Sequence, residues 1–265
     1  MQSIKTIVFK VGTSTLTYEN GKLNLKLIFA LTRVLSDLKN SGVKVVLVTS
    51  GAIGAGFGKL GITDFPNDIP SRQAAAAVGQ NELMFIYDKF FSDFGHTIGQ
   101  VLITKEDFEK KDRREHLLNN FKALLNMNVL PIVNENDAVA TDEIVFGDND
   151  TLSAQVAKLI SADTLIMLTD IDGLYDRNPK ETGANLISVV DEITPEIIEI
   201  AKGSASKLGT GGMTTKLMAA KIARDSSIET IILKGENPDN IYKALAGERI
   251  GTYFAPFEKN EKQRT

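Results

Sequence analysis

The stretch VKVVLVTSGAIGAG, residues 43–56, decides how this 265-residue chain is read. Val43 to Val48 is apolar at every position but Lys44, and Thr49-Ser50-Gly51 then switches at once to small and polar. A strand solvated on one face would alternate apolar with polar, whereas a near-continuous run of valine and leucine suits a strand covered on both faces of a parallel sheet. Open sheets of that kind bind ligands just beyond the carboxyl ends of their strands. The glycines at 51, 54 and 56 stand at such a place, in the manner of an anion-binding turn leading into a helix N-terminus. A purely structural glycine turn is the alternative.

Outward from that stretch, apolar runs of the same texture recur at residues 6–11, 98–103, 129–133, 164–168, 186–190 and 230–233. Between them, residues 25–38, 72–91, 113–125, 151–160, 195–201, 214–223 and 239–245 carry apolar side chains at spacings of three and four, as helices with one buried face do. Strand and helix alternate from end to end. The pattern predicts an α/β fold, a three-layer α/β/α sandwich around a mainly parallel sheet. The glycine-rich loops fall into an early and a late group divided near Asp163, yet residues 1–257 read as one domain on one continuous sheet. Residues 258–265, nearly all polar, read as a disordered tail.

Composition removes several function classes. Acidic residues outnumber basic ones, 34 to 30, and no basic block offers itself to nucleic acid or to an anionic membrane. Zero cysteines exclude disulfides and thiolate metal sites, and the two histidines, His96 and His116, lie far apart, so no metal site built by the protein is expected. Residues 1–16 lack the apolar stretch of a secretion signal, and no later run reaches membrane-spanning length, which makes the cytoplasm the expected compartment.

The other strand ends carry the remaining candidate chemistry. Lys10-Val11-Gly12-Thr13-Ser14 offers a point charge beside a glycine turn that suits phosphate, with a solvated strand-end lysine as the bland reading. Asn134-Glu135-Asn136-Asp137, continuing to Phe146-Gly147-Asp148-Asn149-Asp150, interleaves acids with amides in a way that suits a zwitterion; an acidic surface loop with Asn149 or Asp150 capping the next helix competes with it. Thr169-Asp170 follows the 164–168 run, and Gly209-Thr210-Gly211-Gly212-Met213-Thr214-Thr215-Lys216 opens a helix as a phosphate nest. The glycine spacing fits neither a dinucleotide fingerprint nor a Walker P-loop. Lys10 and Lys216 together answer one chemical demand: a γ-phosphate brought against a carboxylate sets anion against anion, and cations must meet the charge that develops. A carboxylate nucleophile is already ionised at neutral pH and needs no general base.

With these residues assembled, the chain resembles the amino acid kinase family from Lys10 to about Phe254. Any one of the six motifs is weak; all of them in order are specific. Within the family, the resemblance is to members acting on L-glutamate. It implies transfer from ATP, with Mg²⁺ carried mainly by the nucleotide phosphates, to the γ-carboxylate, giving γ-glutamyl 5-phosphate and ADP on the route to proline. It further implies that Lys10, Thr169, Asp170 and the 210–216 segment (Thr210, Gly211, Gly212, Met213, Thr214, Thr215, Lys216) serve ATP. Ser50, Gly51, Asp137 and Asn149 would hold glutamate, and Asp148 and Asp150 would organise the lysines and the substrate ammonium. Free L-proline is implied as a feedback inhibitor, and a homo-oligomer, dimer or tetramer, as the working form. Many members carry a C-terminal PUA domain, and this chain ends before one could begin, so effects of that module are not carried over.

Four rivals stand against this reading. A nucleotide acceptor calls for arginines that 50–56 and 134–150 lack. N-Acetylglutamate has no ammonium to pair with Asp137 or Asp148, and aspartate stays open as an acceptor. A non-catalytic amino-acid or nucleotide sensor on the same scaffold would be expected to have lost one of the two lysines.

Overall fold

The computed structural model describes residues 5–139, 149–202 and 212–257. In chain order the elements are β1 (Thr6–Val11), α1 (Thr13–Leu16), α2 (Leu25–Asn40), β2 (Lys44–Val48), α3 (Ala52–Leu60), α4 (Ile69–Asp93), β3 (Ile98–Ile103), α5 (Lys105–Glu109), α6 (Lys111–Asn126), β4 (Leu130–Glu135), α7 (Asn149–Ile160), β5 (Thr164–Thr169), β6 (Val189–Val190), α8 (Pro195–Lys202), α9 (Met213–Asp225), β7 (Glu229–Lys234), α10 (Asn240–Leu245) and β8 (Thr252–Phe254). The strands form one sheet in the order β3-β4-β2-β1-β5-β7-β8-β6. All pairs are parallel except β7–β8.

Both faces of the sheet are buried, which is why the central strands show no polar alternation. Along β1, Ile7, Phe9 and Val11 join a core that includes residues of α1 to α4 and α10, while Val8 joins the opposite core with α6, α7 and α9. Those two cores are the outer interfaces of a three-layer sandwich, as the strand–helix alternation predicts. The strand order also divides by sequence: β1 to β4 fill one side and β5 to β8 the other, joined where β1 pairs with β5.

Boundaries differ from the sequence reading at a few places. Asp68 Oδ1 accepts from Ser71 N at 2.9 Å, so α4 starts at Ile69, three residues earlier than its apolar period. The 186–190 run contracts to Val189–Val190, with Leu186 bridging Tyr175 instead. Helices α1 and α5 and strand β8 have no counterpart among the expected elements, while α3 is the helix into which the glycine turn after β2 leads. The 258–265 tail lies outside the described residues.

One seam is unusually tight. A Cβ on Gly79 of α4 would sit 1.8 Å from the Ala52 carbonyl oxygen, and one on Gly56 of α3 would sit 1.8 Å from that of Ala75. The two helix backbones therefore touch, and the turn at the end of β2 is held against α4. Gly51 caps α3 in the left-handed region at φ 91°, a conformation glycine adopts without steric cost.

Candidate active site

The carboxyl ends of β1, β2, β4 and β5 and the N-termini of α7 and α9 deliver the candidate residues. Asp150, in the first turn of α7, is fully buried. Its Oδ1 lies 2.6 Å from Lys10 Nζ at the end of β1, and its Oδ2 lies 3.0 Å from Lys216 Nζ in the first turn of α9. Thr215 Oγ1 stands 3.0 Å from the same Oδ2 and 2.8 Å from the Gly212 carbonyl. Lys10 is 4 % and Lys216 7 % exposed. A lysine in a helix's first turn opposes the macrodipole, and burial adds a desolvation penalty. Asp150 offsets both. Its carboxylate, which the sequence reading offered as a possible helix cap, faces the two ammonium groups instead. Helix α9 starts at Met213, one residue before the helix expected at 214–223, and Met213 is buried.

Next to this cluster, Asn149 Nδ2 lies 2.7 Å from the Thr49 carbonyl, 3.0 Å from Ser50 Oγ and 2.8 Å from Asn134 Oδ1. Thr49 Oγ1 is 2.9 Å from the buried Tyr87 hydroxyl of α4, whose pKa burial pushes well up. Beyond Asn134, a cavity of about 300 Å³ is lined in part by Ala52, Gln80, Gln100, Glu135, Asn136 and Asp137. Burial lifts the Asp137 carboxyl to about 6, and the nearby Arg72 guanidinium acts to lower it. A larger cavity, about 470 Å³, opens at the other end of the sheet beside Lys5 and Glu229 and has no part in this cluster.

On the β5 side, Thr169 is buried and donates from Oγ1 to Asp170 Oδ1 at 3.0 Å, while Gly12 N and Gly235 N bond to the Leu168 and Thr169 carbonyls. Asp148, Thr210 and Gly211 lie outside the described residues. Both histidines stand apart: His96 Nε2 is 3.3 Å from the Ser36 carbonyl, and His116 is exposed on α6. Among the described residues no group of three or more carboxylates or histidines could hold a metal ion, and no helix is long and apolar enough to cross a membrane.

Sequence reasoning missed Gln80, Arg72 and Tyr87, all on α4. Their only signal was position within a long helical period. Asn134 stood in a quoted motif without a role of its own.

Residues 5–234 match the model of the amino acid kinase family. The chain belongs to this family. A glutamate 5-kinase of Clostridium tetani is 52 % identical over 255 residues, covering 96 % of both chains. One from Clostridium acetobutylicum is 51 % identical over 260 residues, covering 98 % of this chain and 97 % of the relative. A longer glutamate 5-kinase, from Caldanaerobacter subterraneus, is 49 % identical over 95 % of this chain but only 68 % of its own length. Among solved structures, the carbamate kinase of Giardia lamblia bound to AMP-PNP superposes with a TM-score of 0.69 at 19 % identity over 97 % of this chain and 100 % of that one. At that identity the likeness speaks to the amino acid kinase fold alone.

Proposed function

We propose that this amino acid kinase transfers the γ-phosphoryl group of ATP to the γ-carboxylate of L-glutamate, giving ADP and γ-glutamyl 5-phosphate, the first step toward proline. The convergence of Lys10 and Lys216 on the buried Asp150 carries the chemistry. The transferring group spreads negative charge over its equatorial oxygens while an anionic carboxylate approaches. Two ammonium groups preplaced by one carboxylate meet that charge without reorganising. Mg²⁺ would travel on the β- and γ-phosphates and neutralise charge there. Thr169, Asp170, Gly212, Met213, Thr214 and Thr215 are assigned to ATP together with Thr210 and Gly211; the N-terminus of α9 suits phosphate.

Glutamate as the acceptor is supported by the relatives at about 50 % identity. Ser50 and Gly51 are assigned to its carboxylate end, and Asn149 and Asp137, with Asp148, to its ammonium. ADP release across glutamate, aspartate and N-acetylglutamate, with hydroxylamine to trap the acyl phosphate, tests the assignment. Glutamate should give the highest kcat/KM; a clear preference for either rival would overturn it.

L-Proline as an inhibitor competing at Ser50 and Asp137 belongs to the same reading. Glutamate titrations at several proline concentrations should show a rising apparent KM, and an unchanged one would remove the claim. A cytoplasmic homo-oligomer completes the reading, with exposed Leu60, Phe65 and Phe85 lending apolar surface for contact between copies. Sedimentation velocity tests it.

A further inference from the structure

Gln80 reaches from α4 to the end of β4 and is only 8 % exposed. Its Oε1 accepts from Asn134 Nδ2 at 2.8 Å. Asn134 turns its own Oδ1 to the backbone N–H of Glu135, at 2.9 Å, and to Asn149 Nδ2, at 2.8 Å. A carboxamide donates at one end and accepts at the other, so a row of them has a direction. Here the direction is fixed, because the Glu135 N–H can only donate. Asn134 must therefore show it an oxygen, which leaves its nitrogen facing Gln80, and Gln80 must answer with its carbonyl.

The cost of that arrangement falls on Gln80 itself. Its Nε2 is buried with no hydrogen-bond partner among the described residues. A buried donor left unpaired is destabilising, and each such group in a native structure calls for an explanation. Stability alone gives no reason to prefer glutamine over an apolar side chain of the same size, because the bond its carbonyl makes is offset by the donor it leaves unpaired.

Resting on the glutamate reading above, we propose that Gln80 is a positioning residue of the acceptor site: its carbonyl pairs the remaining donor of Asn134 and so holds in place a row of amides whose direction the Glu135 N–H and the Thr49 carbonyl set. Asn149 then shares its two N–H donors among Thr49, Ser50 and Asn134 and keeps Oδ1, an acceptor, for the substrate ammonium. Ser50, accepting from Asn149, keeps its hydroxyl proton for a substrate carboxylate oxygen. Gln80 thus steadies the polar groups that the amino acid meets.

The test compares the full-length wild-type chain with Gln80→Met and Gln80→Glu. Gln80→Met should raise KM for L-glutamate about tenfold, the scale of one neutral hydrogen bond, and leave KM for ATP unchanged. Its thermal midpoint should stay close to wild type, since loss of the unpaired Nε2 offsets the newly unpaired Asn134 Nδ2. Gln80→Glu, which still presents an oxygen to Asn134, should recover most of the lost affinity. Independently of any substrate, side-chain amide resonances of Asn134 and Asn149 should exchange slowly in wild type and fast in Gln80→Met. A wild-type KM for glutamate in Gln80→Met overturns the proposal, and so does a joint rise of both KM values with a fallen midpoint, which marks a structural role. If wild type does not turn over glutamate, the acceptor assignment falls, and the amide-exchange arm still decides the role of Gln80.

Discussion

Lys10 and Lys216 sit where physics disfavours an ammonium, one at a fully covered strand end and one in the first turn of a helix, and Asp150 lies between them. In the proposed mechanism their attraction to the transferring group grows in the transition state, so the loss should appear mainly in kcat. Steady-state kinetics of Lys10→Ala and Lys216→Ala should show losses of roughly 10²–10³-fold each. The double variant should lose less than the product, because both residues act on one charge. Lys216→Arg should recover little, since a planar fork cannot occupy the place of a compact ammonium. Asp137 gives a second test at this scale. Its folded value of about 6 stands above that of an unfolded aspartate, so its contribution to stability is fully present below about pH 4 and is lost as pH rises through 6. Asp137→Asn should therefore raise the thermal midpoint at pH 8, recovering up to about 3 kcal/mol, and have little effect at pH 4. Glutamate affinity should run the other way: pairing with an ammonium needs the ionised carboxylate, so KM in the wild type should climb as pH falls through 6. The lysines and acids were legible because charge at the end of an apolar run in glycine-rich surroundings is conspicuous. Gln80 was not, since in AAAAVGQNEL it reads as one more polar helix position, and only packing of α4 against β4 turns it inward.

Elements were legible in proportion to how much of their burial is local. The strands covered on both faces announce themselves as continuous apolar runs, and their ends agree with the sequence reading to within two residues for all but β6. Strand β8 has three residues, Thr252–Phe254, and owes its place to partners on both sides, β7 antiparallel and β6 parallel. Neither periodicity nor length could reveal it. The α3–α4 seam was equally silent, because two glycines among alanines carry no sign of what they face. Its prediction is a contrast. Gly79→Ala should lower the unfolding free energy by roughly 1–3 kcal/mol or more, as overpacking does, because the Ala52 carbonyl has to move. Gly54→Ala, in α3 with its nearest neighbour 3.9 Å away, should be neutral or stabilise by up to about 1 kcal/mol. Denaturant titration of the two variants decides between a tight seam and an ordinary helix contact.

In the proposed reaction the two substrate ends belong to different parts of the sheet. The acceptor side would be built on β2, β4, α3 and α4, the nucleotide side on β5 and α9, with β1 and α7 between. Thr252 fastens the far side: its Oγ1 accepts from Leu174 N at 2.8 Å and donates to the Ile187 carbonyl at 2.7 Å, tying β8 to the chain that follows Asp170. Thr252→Val leaves both backbone groups unpaired and should cost about 2 kcal/mol in stability. It should raise KM for ATP several-fold and leave KM for glutamate unchanged, the reverse of the split expected for Gln80→Met.

The strand order has a consequence for how the chain is made. Residues that form β1 to β4 leave the ribosome first, and they are mutual neighbours on one side of the sheet. A nascent chain that has emerged through β4 can already pair four strands, but β1 then presents an open edge and Lys10 has neither Asp150 nor Lys216 beside it. Synthesis of α7 and β5 closes that edge and supplies the carboxylate. Lys216 arrives only with α9, so the two cations meet late in translation, and a chain truncated before α9 can build half a sheet without assembling the charge centre.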